Sequence, residues 1–181
     1  MAIFARFKFF EMKIKTILTL AILVFSTSVF AQQKESWKNW SWLIGTWAGE
    51  GSGQPGEGGG TFSFSLDLDE NIMVRKSHSE YPAANGNPAV VHDDLMIVYL
   101  EPKGVPSKSI YFDNEGHTIN YQISYAEKSV VFKSEKMPNV PIFRLTYTLL
   151  DNDMVNTKFE MSQDGENFMT YIEGKSKKTN E

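Results

Sequence analysis

Three histidines, His78, His92 and His117, are the side chains of this sequence that titrate nearest neutral pH, and each has acids close by in the chain. Glu80 follows His78, Asp93 and Asp94 follow His92, and Asp113 and Glu115 precede His117. A histidine beside a carboxylate can pass a proton, and two or three converging with Glu80, Asp93 or Asp94 can hold a metal ion. No two of them have the short i, i+2 or i, i+4 spacing that signals a zinc site by itself, so such chemistry depends on the fold bringing them together. The plainer role for each is a neutral, hydrogen-bonded ring near a strand end. His117 shares parity with Ile119, Tyr121, Ile123 and Tyr125, which places it on an apolar face and predicts an interior position.

Two arginines, Arg75 and Arg144, lie beyond the first 31 residues. Arg144 shares parity with Ile142, Thr146 and Thr148, which allows an inward guanidinium gripping a ligand carboxylate through two parallel bonds. The alternatives are a surface arginine or an internal partner for Glu80 or Asp113. An inward arginine demands an acid nearby, because an unpaired buried charge costs several kcal/mol. Tyr111-Phe112-Asp113-Asn114-Glu115-Gly116-His117 reads as a hairpin in which Gly116 supplies a positive φ. The same hairpin also sets Asp113 and His117 across from each other. No Gly-x-Ser-x-Gly elbow supports a serine hydrolase. Gly51-x-Gly53-x-x-Gly56 matches the dinucleotide fingerprint as a string, yet it lacks the following helix N-terminus that would hold a pyrophosphate, and Pro55 interrupts it.

The elements that must position these groups follow from length and pattern. The chain has 181 residues, 41% hydrophobic and 13% aromatic, an ordinary globular composition with room for one domain. It contains no cysteine, which removes disulfides, thiolate metal sites, a cysteine nucleophile and a lipoprotein anchor. Lys13 and Lys15 precede an uncharged run from Thr16 to Phe30 that ends at Val29-Phe30-Ala31, the pattern of a secretory signal peptide over residues 1–31. Its apolar run is shorter than the roughly 20 residues a membrane-spanning helix needs. Met12 is an alternative start. The expected mature chain, 32–181, is a single domain exported to the periplasm or secreted from a bacterium, with no membrane span. Removing the leader's four basic and one acidic residues leaves 14 basic and 21 acidic, a net charge of about −7. No Lys/Arg block is dense enough to track a phosphate backbone, so nucleic acid is not expected as a partner.

Trp37, Trp40 and Leu43 recur at helical spacing and predict a short amphipathic helix over Ser36 to Leu43. Beyond it the pattern alternates. Phe62, Phe64, Leu66 and Leu68 face one way, and Ser63, Ser65, Asp67 and Asp69 the other. Similar runs at 45–53, 72–79, 94–100, 108–113, 117–125, 129–135, 142–150, 153–161 and 167–175 bring the count to ten strands. Turns such as Asp69-Glu70-Asn71, Asp151-Asn152 and Asp164-Gly165 separate them, and Pro82 to Pro88 reads as a loop. No second helical stretch intervenes, which excludes parallel crossovers and predicts an all-β antiparallel meander. Closing the sheet into an up-and-down barrel removes both edges, and more than eight strands predict an interior too wide for side chains alone, hence a cavity.

Leu43-Ile44-Gly45-Thr46-Trp47-Ala48-Gly49-Glu50-Gly51, a short helix leading into Gly-x-Trp on the first strand, resembles the opening of calycin barrels, and nitrobindin-like proteins in particular. Ten strands suit the nitrobindin and fatty-acid-binding-protein branch better than the eight-stranded lipocalins. The chain is also similar to exported bacterial proteins around His78 to Tyr81, Tyr111 to His117 and Phe143 to Tyr147. The resemblance implies a barrel that holds an apolar ligand or a haem. The haem does not carry over, because the family's axial histidine comes from the C-terminal part of the barrel and Phe168 to Lys178 contains none. The fatty-acid binders' Arg-x-Tyr is Tyr171-x-Glu173 here, so no cofactor is assigned.

The expectation is an exported, monomeric or weakly dimeric barrel that binds a small, partly apolar molecule and catalyses nothing. Its polar contacts would be Arg75, His78, His117 and Arg144, with Tyr111 and Tyr121 as aromatic walls. The competing expectations are a metal-dependent or acid/base enzyme built on the histidines, and an envelope protein whose barrel is simply packed. Trp37, Trp40, Trp42 and Trp47 read as packing rather than as a cation cage.

Overall fold

The computed structural model describes residues 35–51, 59–83, 88–126, 128–151 and 153–179. The leader, most of the Gly51-x-Gly53-x-x-Gly56 stretch and most of the Pro82 to Pro88 loop lie outside these, as does Asn152. The chain divides into two units, Met1–Ser36 and Trp37–Glu181, and the second carries the fold described below.

Ten strands form it: β1 (Gly45–Gly49), β2 (Thr61–Asp67), β3 (Ile72–Tyr81), β4 (Val90–Tyr99), β5 (Lys108–Asp113), β6 (Thr118–Ala126), β7 (Ser129–Ser134), β8 (Ile142–Leu149), β9 (Met154–Ser162) and β10 (Met169–Lys178). Each pairs antiparallel with its sequence neighbours, and β1 pairs with β10, so the sheet is a closed up-and-down barrel. Closure leaves no unpaired strand edge. Side chains alternate across the wall as the sequence pattern requires. Register places Phe64 beside Arg75, Met96 beside Tyr111 and Phe132 beside Leu145, all on the inner face. Among the described residues no helix is long and apolar enough to cross a membrane.

The expected helix over Ser36 to Leu43 is not formed. One 3-10 turn, Lys38–Trp40, stands there, with Trp40 N donating to Trp37 O at 2.9 Å and Leu43 N to Trp40 O at 2.8 Å. So short a segment gains little from helix propagation, and the burial of Trp37, Trp40 and Leu43 sets its shape instead. Those three residues plug one end of the barrel. Trp40 meets Phe64, Tyr125 and Phe132 with ring centroids 6.4, 5.8 and 5.7 Å away, and its indole N–H donates to the Tyr125 hydroxyl at 2.7 Å. The Trp37 indole donates to the carbonyl of Glu70 at 2.8 Å. That bond pins the β2–β3 turn, where Leu68, Asp69 and Glu70 all have positive φ (49°, 55° and 64°), a costly run for residues with side chains.

The interior is filled from this plugged end to about half its height. Phe62, Phe64, Phe132, Tyr121 and Tyr147 make a continuous set of edge-to-face and tilted ring contacts, with Met73, Met96, Val98, Val130 and Val155 buried among them. The wide lumen expected of ten strands is therefore shortened. Aromatic side chains, each burying about 150–250 Å², span the width that aliphatic ones would leave open.

Candidate functional site

The strands that carry chemistry are β3, β4 and β5, and the site lies on their inner face toward the unplugged end. From the rim inward, β3 presents Tyr81, Ser79, Ser77 and Arg75, β4 presents His92 and Asp94, and β5 presents Asp113, Tyr111 and Ser109. Register sets Asp94 beside Ser77 and Asp113, and Met96 beside Arg75 and Tyr111. Arg75 Nη1 pairs with Asp94 Oδ1, and the two side chains are only 8% and 6% exposed. The guanidinium carbon lies 5.8 Å from the Phe62 ring centre and 5.9 Å from that of Tyr147, so π faces accompany the charge where water is excluded. Burial works against the charge of Arg75, but Tyr147, Asp94 and Tyr111 outweigh it and its pKa is raised. Burial also dominates at Asp94, holding its pKa above the usual carboxylate value against the pull of Arg75 and His92.

Around that pair runs a hydrogen-bonded ring of polar groups. His92 Nε2 lies 3.1 Å from the Tyr111 hydroxyl and 3.7 Å from Asp94 Oδ2, and its Nδ1 lies 3.1 Å from Glu115 Oε1. The Tyr111 hydroxyl donates to Asp113 Oδ2 at 3.2 Å. Asp113 also accepts from the backbone N–H groups of Glu115 and His117 at 3.0 and 2.9 Å, and from His117 Nδ1 at 2.8 Å. Burial would raise the pKa of Asp113, but these donors outweigh it and the carboxyl stays below its usual value. Tyr111 is pushed well above the usual phenol value by burial and by Asp94 and Asp113, so it stays a neutral donor. Gly116, at φ 91°, lets the hairpin turn tightly enough to fold His117 back onto Asp113.

Among the described residues, four buried polar atoms have no hydrogen-bond partner: Arg75 Nε and the hydroxyls of Ser109, Tyr147 and Thr157. All sit on inward-facing positions of β3, β5, β8 and β9. The Tyr147 hydroxyl lies close enough to the guanidinium for Arg75 to oppose the rise that burial gives its pKa. Above them the wall turns apolar and is left partly open. Tyr81, Tyr111, Ile119, Phe143, Phe159, Met161 and Ile172 face inward yet remain half-buried. Phe143 and Phe159 stack with centroids 5.8 Å apart, and Tyr171 meets Phe159 edge-on at 6.2 Å. The result is a cup, aromatic on its β8–β10 side and polar on its β3–β5 side, with the Arg75–Asp94 pair as its floor.

Of the residues singled out in the sequence, Arg75, Tyr111 and Tyr121 meet in this interior; Tyr111 and Tyr121 are in edge-to-face contact at 6.4 Å. The other three are elsewhere. His78 points out of the wall, 48% exposed, with Nδ1 2.6 Å from Asp93 and Nε2 3.2 Å from Glu80; the hydrogen bonds its ring donates to those acids raise its pKa. His117, expected inside by parity, stands at the rim 61% exposed, because β6 begins at Thr118 and the Asp113 carboxylate draws the ring into the hairpin. Arg144 lies on the outer face of β8, with Nε 2.7 Å from Glu160 and its guanidinium 3.8 Å above the Phe168 ring.

His92, Asp94 and Asp113 read from the sequence only as metal, acid/base or hairpin candidates and not as ligand contacts. The signal was present: His92, Asp94, Met96 and Val98 alternate, and extending the β4 pattern back to Val90 puts both polar residues inside. Phe143, Leu145 and Tyr147 likewise form the apolar parity of β8, which sends Arg144 outward.

Among the described residues no group of three or more His, Asp or Glu side chains is placed to hold a metal ion. A groove of about 550 Å³ runs across β1–β5, lined by outward-facing Ser63, Lys76, His78, Asp93, Leu95 and Phe112 and also by Ser77, Asp94 and Asp113 of the site strands.

Fold and site together define a closed, ten-stranded antiparallel barrel with a plugged end and an open, polar-and-aromatic end. The crystal structure of Rv2717c from M. tuberculosis is similar to it with a TM-score of 0.53, at 11% identity, over 80% of this chain and 98% of that one. That likeness is one of fold, consistent with a calycin-like barrel. No family model matches the sequence. No curated protein matches it either.

Proposed function

We propose that the protein is an exported, non-catalytic β-barrel that binds a small, partly apolar molecule in the open half of its barrel. The carrying observation is the contrast between the two ends. At one end Trp37, Trp40 and Leu43 cover the inward rings of Phe64 and Phe132 and leave Tyr125 half-buried, whereas at the other Tyr81, Tyr111, Phe143 and Phe159 face inward and stay partly in water. Inward aromatic surface left wet is surface a ligand can cover, and the unpartnered hydroxyls and Arg75 Nε beneath it are polar groups that a ligand or its waters can satisfy. Export rests on the Lys13 and Lys15 flank, the Thr16–Phe30 run and the Ala31 cleavage pattern. In this reading Arg75, Tyr111 and Tyr121 keep the roles expected of them, and His92 and Asp113 take the polar roles in place of His78, His117 and Arg144.

Native mass spectrometry of the chain purified from its own source tests this. A co-purified small molecule that is lost in Ile119→Trp, which fills the cup without touching its floor, is the expected result. Retention of the same mass by that variant overturns the placement. An unliganded mass together with no binding from a panel of small apolar molecules overturns the reading.

A further inference from the structure

The outer wall of the barrel is polar over most of its circumference and apolar over one stretch. Outward positions carry Asn120 and Gln122 on β6, Thr146 and Thr148 on β8, and Glu173 and Lys175 on β10. On β3, β4 and β5 they carry Val74, Leu95, Ile97, Ile110 and Phe112 instead. Register sets these in two rows across the three strands, Lys76–Leu95–Phe112 and Val74–Ile97–Ile110. Phe112, at the end of its row, is 40% exposed. Scattered apolar residues on a surface need no account, but a contiguous set spanning three strands marks a surface that is covered in use.

The borders of the two rows restrict what can cover them. Lys76 and Lys108 stand there with Asp93 and Glu101, so both signs are present and a partner of one charge is not selected. A bilayer laid against this flank would bury the exposed Asp67, Lys76 and Asp93 with it. A second copy fits through the register itself. A twofold axis running along the outside of β4 exchanges β3 with β5 and keeps each row in line. Leu95 and Ile97 then meet their own counterparts, Val74 meets Ile110, and Lys76 meets the Phe112 ring. Lys76 is exposed and has no acid within ion-pair reach among the described residues, so its ammonium is free for that ring, a cation–π contact at each end of the row. The 550 Å³ groove, lined by Ser63, Lys76 and Leu95, lies where the incoming Phe112 is set. Asp93 is held by His78 at 2.6 Å, and the crossing of about 30° between aligned sheets carries the two copies of that carboxylate apart. Three strands and four outward rows span about 15 by 25 Å. With relief, each copy buries on the order of 500 Å², the low end of specific interfaces.

We propose that the protein pairs with a second copy of itself through the outer face of β3, β4 and β5, with Ile97 at the twofold axis and both open ends pointing the same way. The pairing stands apart from the binding reading and survives its failure. Sedimentation equilibrium of the chain purified from its own source should show a monomer–dimer equilibrium with a dissociation constant of about 100 μM. Ile97→Lys sets two ammonium groups against each other at the axis and should weaken pairing by about tenfold or more. Phe112→Glu should stay within about threefold of the parent, because the new carboxylate meets Lys76 of the other copy. Adding Lys76→Glu to Phe112→Glu turns that contact repulsive and should cost about tenfold or more. The chain has no cysteine, so Ile97→Cys supplies a single thiol that carries no charge and decides the matter if the lysine variant fails to fold. A short bismaleimide spanning the roughly 10 Å between packed sheets should link two copies through it, but not through Asn120→Cys on the outer face of β6. A chain that stays monomeric up to about 1 mM overturns the proposal. A dimer that Ile97→Lys leaves intact, or that Asn120→Cys cross-links as readily as Ile97→Cys, overturns it equally, since the contact then lies on another face.

Discussion

Arg75 and Arg144 make the same chemical pair, a guanidinium with a carboxylate on the next strand, on opposite faces of one sheet. Inside, Asp94 has protein around it in every direction, and burial lifts its pKa even with Arg75 in contact. Outside, Glu160 is equally hidden from solvent, 6% exposed, but what hides it is Arg144 at 2.7 Å and Lys158 at 3.2 Å. Those donors hold its pKa below the usual value, Arg144 foremost, because little low-dielectric material lies beyond them. Cover by one's own partner is not burial. The inner pair is tolerated for what it positions, whereas the outer pair ties β8 to β9 and to the 163–168 loop at little cost.

The sharpest way to break this contrast is the same substitution on each face. Arg75→Met leaves Asp94 charged, buried and unpaired, and should cost about 3–5 kcal/mol at neutral pH in urea unfolding. Without Arg75, the pKa of Asp94 climbs further above its starting 3.8. A carboxyl raised in the folded state contributes most below its unfolded pKa and loses that contribution as pH rises through the folded value. The deficit of Arg75→Met should therefore shrink on acidification toward pH 4. Adding Asp94→Leu to Arg75→Met should recover most of the loss at neutral pH, since an apolar pair of similar volume replaces the charges. A single variant within about 1 kcal/mol of the parent would mean that water reaches the floor of the cup and that the inner pair is not desolvated.

How much of this contrast is legible in the sequence can be argued from the same two residues. Alternation gives the barrel, because one buried face per strand leaves a period of two that turns alone cannot imitate; Phe62, Phe64 and Leu66 read correctly for that reason, whereas Leu68 falls in the turn after β2 and is exposed. The cost of an unpaired buried charge adds the rule that an inward arginine needs an acid, which Arg75 and Asp94 satisfy. Alternation does not say where a strand ends. His117 lies one residue before β6, where parity no longer binds a side chain to a face, and the hairpin acid decides its position instead. It is equally silent on how far aromatic residues from facing strands reach across a lumen, which is why a wide cavity was expected where Tyr147, Phe64 and Phe132 meet. The 3-10 turn at Lys38–Trp40 has the same origin, since three-residue spacing of tryptophans serves a plug as well as a helix.

On the outer face the effects are smaller. Arg144→Met leaves Glu160 with Lys158 and with access to water, so it should cost no more than about 1 kcal/mol, and less at high salt. Phe168→Ala should cost about 0.5–1 kcal/mol through the lost stacking of the guanidinium, and its loss should not add to that of Arg144→Met, because the two side chains share one contact.

The smallest effect is the most diagnostic, because its sign is opposite to that of the inner pair. Glu160 has its pKa lowered from 4.5, so its contribution is present above that value and is lost as pH falls through the folded-state pKa. Arg144→Met removes the first cause of the lowering. The stability difference between parent and variant should thus be constant from pH 7 to about 5 and close toward zero below about pH 4. Two deficits that both narrow in acid would seem alike, but they differ in what remains: Arg75→Met narrows because its carboxyl becomes neutral and the variant gains, whereas Arg144→Met narrows because the parent loses. Unfolding free energies of all three chains on one pH axis distinguish these. A parent curve that rises between pH 5 and 4 while Arg144→Met stays level would reverse the assignment of Glu160 as the covered but well-partnered acid, and with it the distinction between cover and burial on which the comparison of the two faces stands.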